Sequence, residues 1–271
     1  MSTSSGAARL LANYPVQSVT SAWTIDRARG VAYFVGSNNG ANGPWLLYGI
    51  NATTGAVLQS PVIGLGVTRL FVRSDGLLVS ITSAVAGWTL DAVNPTTGAR
   101  TVISSIPGGW DDFAFDDGTN LLYMVETPGM PVLPVYLLTL DLMSGAVINR
   151  VPLDLTPQGN GYRWAGGLYV RADGSLVGIH DDTAVELHLI DPGTGAVTFL
   201  GPVAQLQAIS RHSFVGDPSV DRAYVVGWPL QPTGPTPQQL FTIDLQSGAA
   251  LSAPMLPGSP STSFRDALFV P

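Results

Sequence analysis

Short apolar runs separated by polar turns recur along the whole chain, and five of the turns share one pattern. Each has Asp or Asn, two variable residues, Thr or Ser, and then Gly-Ala: Asn51 to Ala56, Asn94 to Ala99, Asp141 to Ala146, Asp191 to Ala196 and Asp244 to Ala249. Four residues before each Asp or Asn stands a leucine (Leu47, Leu90, Leu137, Leu187, Leu240), and one residue before it an aliphatic side chain (Ile50, Val93, Leu140, Ile190, Ile243). These positions have opposite parity in an extended chain, so the run is apolar on both faces, as in a strand covered on both sides. The turn chemistry is explicit. Asp or Asn bonds its own backbone two residues on, Pro95 and Pro192 pre-set φ, and the glycine accepts positive φ, so Gly→Ala at Gly98 or Gly195 is expected to destabilise.

A second unit repeats with the first: 31–35, 77–81, 121–125, 176–179 and 223–226 are apolar runs, each preceded by an Asp/Gly-type turn and another short apolar run. One repeat therefore reads strand, turn, strand, variable loop, strand, Gly-Ala turn, strand. The glycines Gly55, Gly98, Gly145, Gly195 and Gly248 are spaced by 43, 47, 50 and 53 residues. Four antiparallel strands at this period describe one blade of a β-propeller. The expected fold is all-β, a single propeller domain over residues 1–271 with five recognisable repeats from about 19 to 256. Residues 10–16 read as an extra outer strand and 264–270 as an extra inner strand. Five blades is the preferred count, with a sixth, partial blade as the alternative. In that case open edges would invite pairing with another copy.

At the level of these turns the chain resembles bacterial secreted or surface propellers whose blades carry Asp-Pro-x-Thr-Gly, a broad group with quinoprotein-like, lactonase-like and surface-antigen-like members. The resemblance implies an extracellular or cell-surface location. It implies no particular activity. No tryptophan follows the turns in 55–61 or 98–106, which counts against a quinone cofactor. The two glutamates, Glu126 and Glu186, fall off the inner strands, unlike the metal cluster of lactonase-like propellers.

Composition narrows the chemistry. All twelve basic residues are arginine and the net charge is −7, so there is no basic face for nucleic acid, no Schiff-base lysine and no phosphate-binding lysine. With no cysteine there is no disulfide, thiolate nucleophile or Cys-ligated metal. No apolar run approaches the ~18 residues that span a bilayer, and the first six residues are small and polar with no apolar signal core.

The expected ligand site is the channel mouth, built from the loops that enter the inner strands. These supply Thr68, Arg69, Trp110, Asp111, Asp112, Arg163, Trp164, Arg211, His212, Arg265 and Asp266. Trp110, Asp111, Asp112, Arg163, Trp164, Arg211, His212 and Asp266 are the candidate binding residues. Read as catalysis, Asp112 or Asp266 is the base or a metal ligand, His212 the acid/base and Arg211 or Arg69 the carboxylate clamp. Read as scaffold, they pair with each other in a watered channel. The leading reading is a non-catalytic interaction or surface-structural module for a protein partner or a small polar or glycan ligand, with no cofactor and no metal. The alternatives are a hydrolase or lyase at the channel mouth and self-assembly through the terminal strands. His180, Asp181 and Asp182 form a second polar cluster on a loop, either a metal clip or a solvated turn, and His188 reads as a packing histidine. Trp45 and Trp88, each six residues before the Asn, read as inter-blade packing.

Overall fold

A computed structural model describes residues 12–84, 87–106, 110–126, 134–155, 166–181, 185–203, 205–209, 214–217, 220–229 and 238–255. It is a five-bladed β-propeller. Blade 1 comprises β1 (Ser18–Asp26), β2 (Val31–Ser37), β3 (Trp45–Asn51) and β4 (Val57–Gln59). Blade 2 comprises β5 (Val67–Val72), β6 (Leu78–Ala84), β7 (Gly87–Val93) and β8 (Arg100–Ile106). Blade 3 comprises β9 (Trp110–Asp116), β10 (Leu121–Glu126), β11 (Tyr136–Asp141) and β12 (Val147–Pro152). Blade 4 comprises β13 (Gly166–Val170), β14 (Leu176–Asp181), β15 (Val185–Ile190) and β16 (Val197–Pro202). Blade 5 has its inner strand in two pieces, β17 (Leu206–Ile209) and β18 (Val215–Asp217), both paired to β19 (Arg222–Pro229), followed by β20 (Gln239–Asp244) and β21 (Ala250–Ser252).

Each blade is one continuous stretch of sequence. Residues 12–16 are not an outer strand: they lead into β1, with the Gln17 amide donating to Ser37 O and the Tyr14 hydroxyl to Gly55 O. The proposed strand at 264–270 lies outside the described residues.

The Gly-Ala turn has one geometry in all five copies. In blade 2, Asn94 Oδ1 accepts from the amides of Thr96 and Thr97 at 2.9 and 3.1 Å, and the Gly98 amide donates to Asn94 O at 2.8 Å. The five glycines have φ between 72° and 75°, the left-handed region that a side chain disfavours.

The two apolar positions of the motif make the seams between blades. The five leucines are fully buried. Leu47 of blade 1 shares a cluster with Val93 of blade 2, Leu90 with Leu140, Leu137 with Ile190, and Leu187 with Ile243. In blades 1 to 4 the leucine thus shares a core cluster with the aliphatic position of the next blade. Leu240, the last, clusters with Tyr224 and Val226 of its own blade. Trp45 and Trp88 pack on the seams after blades 1 and 2.

Glycines of the turn also touch the preceding blade. A Cβ on Gly98 would meet Val62 O at 2.0 Å, and one on Gly195 would meet Pro152 O at 2.1 Å. The turn is therefore a docking point between blades as well as a change of direction.

Candidate functional site

The inner strands β1, β5, β9, β13 and β18 converge on a central channel of about 650 Å³. Its wall is aromatic: Trp23, Phe71, Phe113, Phe115, Tyr169 and Phe214 line it. Phe71 and Phe115 lie 5.4 Å apart between blades 2 and 3, and Tyr169 meets Phe214 edge-on at 6.5 Å between blades 4 and 5. Glycine makes the second pair possible. Any Cβ on Gly216 would sit 2.1 Å from the Tyr169 ring, and one on Gly167 would sit 2.2 Å from Phe214.

Bulges set the upper part of the wall. Register shifts interrupt β1, β5 and β9 against their neighbours, between Val19 and Trp23, between Val67 and Arg69, and beside Asp112. A bulge re-aims side chains that strict alternation would place between blades. Arg69 lies with its guanidinium 5.1 Å over the Phe113 ring and donates to Thr68 O at 2.8 Å. Asp112 is buried, and its Oδ1 accepts from the Phe113 amide at 2.8 Å.

The other mouth is formed by the first turn of each blade and is knit by side chains from different blades. Asn120 accepts from the Ser74 amide and donates to Ser74 Oγ, both at 2.8 Å, joining blade 3 to blade 2. Arg171 pairs with both oxygens of Asp221, joining blade 4 to blade 5. Arg29 holds Asp26 and reaches Gly76 O of blade 2. Asn120 and Asp221 both hold positive φ, which small polar side chains tolerate. Arg27 of blade 1 meets Asp117 of blade 3 at 3.6 Å, spanning non-adjacent blades.

Tyr169 is the unusual group. Its hydroxyl is buried and has no hydrogen-bond partner. Burial, followed by the negative charges of Asp217 and Asp221, pushes its phenol well above the usual range. Arg27 opposes that shift and Asp117 adds to it, so charges from three blades act on this one oxygen.

No family model and no curated protein matches the sequence. Its likeness is one of fold. Over 88% of its length it superimposes on a chain of the Nidogen/Laminin complex, covering 80% of that chain with a TM-score of 0.60 and 13% identity. A TolB-type protein of Agrobacterium tumefaciens aligns over 90% of this chain and 83% of its own, with a TM-score of 0.59 and 13% identity. Hydrazine synthase of Kuenenia stuttgartiensis aligns over 84% of this chain, which spans only 64% of that one, with a TM-score of 0.57 and 13% identity.

Of the residues expected at the mouth, Arg69 and Asp112 line the channel. Trp110 and Asp111 open β9, but their side chains lie outside the described residues. Arg163, Trp164, Arg211, His212, Arg265 and Asp266 also lie outside them. In sequence Arg211 and His212 fall between β17 and β18. Sequence reasoning missed the aromatic wall and the turn-side mouth. A signal existed: Phe71 and Tyr169 each stand four residues before the Asp of an inner turn, Asp75 and Asp173.

His180 is corrected from loop to strand. It is buried near the end of β14 and opposite Glu186, edge-on to His188 at 6.3 Å. Among the described residues no group of three or more His, Asp or Glu is placed to hold a metal ion.

Proposed function

We propose that this chain is a non-catalytic binding module, extracellular or at the cell surface, that receives a segment of a protein partner in its central channel. One observation carries the reading. The channel is a preformed aromatic concavity of about 650 Å³ enclosed by the inner strands of five blades. Pockets of this size lined by aromatic side chains and a few oriented polar groups are the usual form of a binding site. Several polar groups at its turn-side mouth hold one another, Asn120 with Ser74 and Arg171 with Asp221, as a scaffold for recognition requires. The similarity to a chain solved as the Nidogen/Laminin complex fits a propeller that works by contact with another protein.

The test is selection of loop binders from a displayed peptide library, followed by binding to channel and perimeter variants. Phe115→Ser should abolish binding, while Leu58→Ser on the exposed outer strand β4 should leave it unchanged. Loss in Leu58→Ser with retention in Phe115→Ser would move the site to the perimeter. Turnover of lactones, esters or glycosides at an enzymic rate, lost in His212→Ala, would replace the reading with the hydrolase alternative.

A further inference from the structure

We infer that the group received by the channel is an arginine side chain on a loop of the partner, with its guanidinium against the aromatic wall and Asp117 as its counter-charge. The inference rests on the channel being the binding site. Two observations point to a guanidinium. The wall already carries one, since Arg69 lies 5.1 Å over Phe113, and aromatic faces attract cations by their quadrupole. The turn-side half of the channel is rich in carboxylates, with Asp116, Asp117 and Asp173 in its lining and Asp217 and Asp221 acting on Tyr169 from behind.

The resident arginines differ in how firmly they are held. Arg171 is clamped to both oxygens of Asp221 and is largely buried, and Arg69 is stacked and bonded to Thr68 O. Arg27 is the loose one. Its contact with Asp117 is 3.6 Å, and the two side chains are 47% and 70% exposed. Such a pair is weak, so an incoming guanidinium that also gains the aromatic wall can displace Arg27 from Asp117. Arg27 is therefore a resident stand-in for the ligand, lying across the mouth until the partner arrives.

The experiment follows the Trp23 indole N–H by NMR in the intact protein, the signal being assigned by its loss in Trp23→Phe. Probes are the N-acetyl methylamides of arginine, of citrulline (its neutral isostere) and of aspartate. The arginine probe should shift the signal saturably and bind roughly tenfold tighter than citrulline, the sum expected of one cation–π contact and one exposed ion pair. Asp117→Asn should weaken it by roughly two- to fivefold, and Arg27→Ala should tighten it by a similar factor. Equal binding of citrulline, or preference for the aspartate probe, would overturn the inference and leave the channel as the site. Weaker binding in Arg27→Ala would overturn the displacement step. Silence of the Trp23 signal to every probe and to the selected loop binders would overturn the inference and the channel reading together.

Discussion

Gly98→Ala isolates the two demands that the recurring turn makes on its glycine. The first is local. Gly98 has φ +73°, and an alanine there costs about 1 kcal/mol. The second comes from blade 1. The new Cβ would stand 2.0 Å from Val62 O and 2.8 Å from Val62 C, inside any contact that a real Cβ makes. That carbonyl is not free to retreat, because Val62 is bridged to Leu46 and flanked by the Leu47 N to Pro61 O and Ile63 N to Trp45 O bonds, both 2.9 Å. Forcing backbone apart in a packed seam adds about 1–3 kcal/mol, for a total of about 2–4 kcal/mol. Gly248→Ala is the internal control: φ is again +73°, but the nearest atom is Leu187 Cδ1 at 3.7 Å, an ordinary contact. It should lose only the conformational part, about 1 kcal/mol. Urea denaturation followed by circular dichroism measures both. Equal losses in the two variants would refute the argument that the turn is wedged against the preceding blade.

Tyr169→Phe removes a buried hydroxyl that has no partner and should stabilise the fold by about 1 kcal/mol; a lower denaturation midpoint would show that the oxygen is satisfied. His188 is held down to about 4, chiefly by burial and then by the charge of His180, against about 6.5 in an unfolded chain. Between those values the unfolded chain binds more protons, so stability should fall as pH drops through that window, by up to about 3 kcal/mol near its lower end. His188→Leu should flatten that slope in denaturation curves taken across it. Leu90→Ala should cost about 2–5 kcal/mol and be non-additive with Leu140→Ala, its partner in the same seam, but additive with Leu187→Ala, measured by the same denaturation. The carboxyl of Asp244 is lowered chiefly by the Ser247 amide, so its contribution to stability is present above about 3.9 and lost as pH falls through its depressed value; Asp244→Asn should reduce the acid sensitivity of unfolding.

The blade was legible in the chain because it is local. Strand, turn, strand, loop, strand and Gly-Ala turn are adjacent in sequence, and the turn's hydrogen bonds close within six residues, from Asn94 to Ala99. Leucine four before the turn and an aliphatic one before it told that both faces are covered. The channel was only half legible. Arg69 and Asp112 stand out because they are charged residues beside apolar runs, although they lie within β5 and β9 and not on the loops entering them. Phe71, Phe115 and Tyr169 look like ordinary strand hydrophobics, since in sequence a side chain facing the axis looks the same as one facing a neighbouring blade.

By itself, then, the sequence determined the repeat, its strands and the apolar positions that would be buried. It could not say what buries them. Only the packing of blade on blade closed that question: Leu90 lies in one cluster with Leu140 of the next blade, and a carbonyl of the one before leaves no room for a side chain at Gly98. Bulges then re-aimed side chains along β1, β5 and β9, and convergence of three blades placed Arg27, Asp117 and the Tyr169 hydroxyl within each other's field. Those contacts join residues far apart in the chain, and no local pattern encodes them.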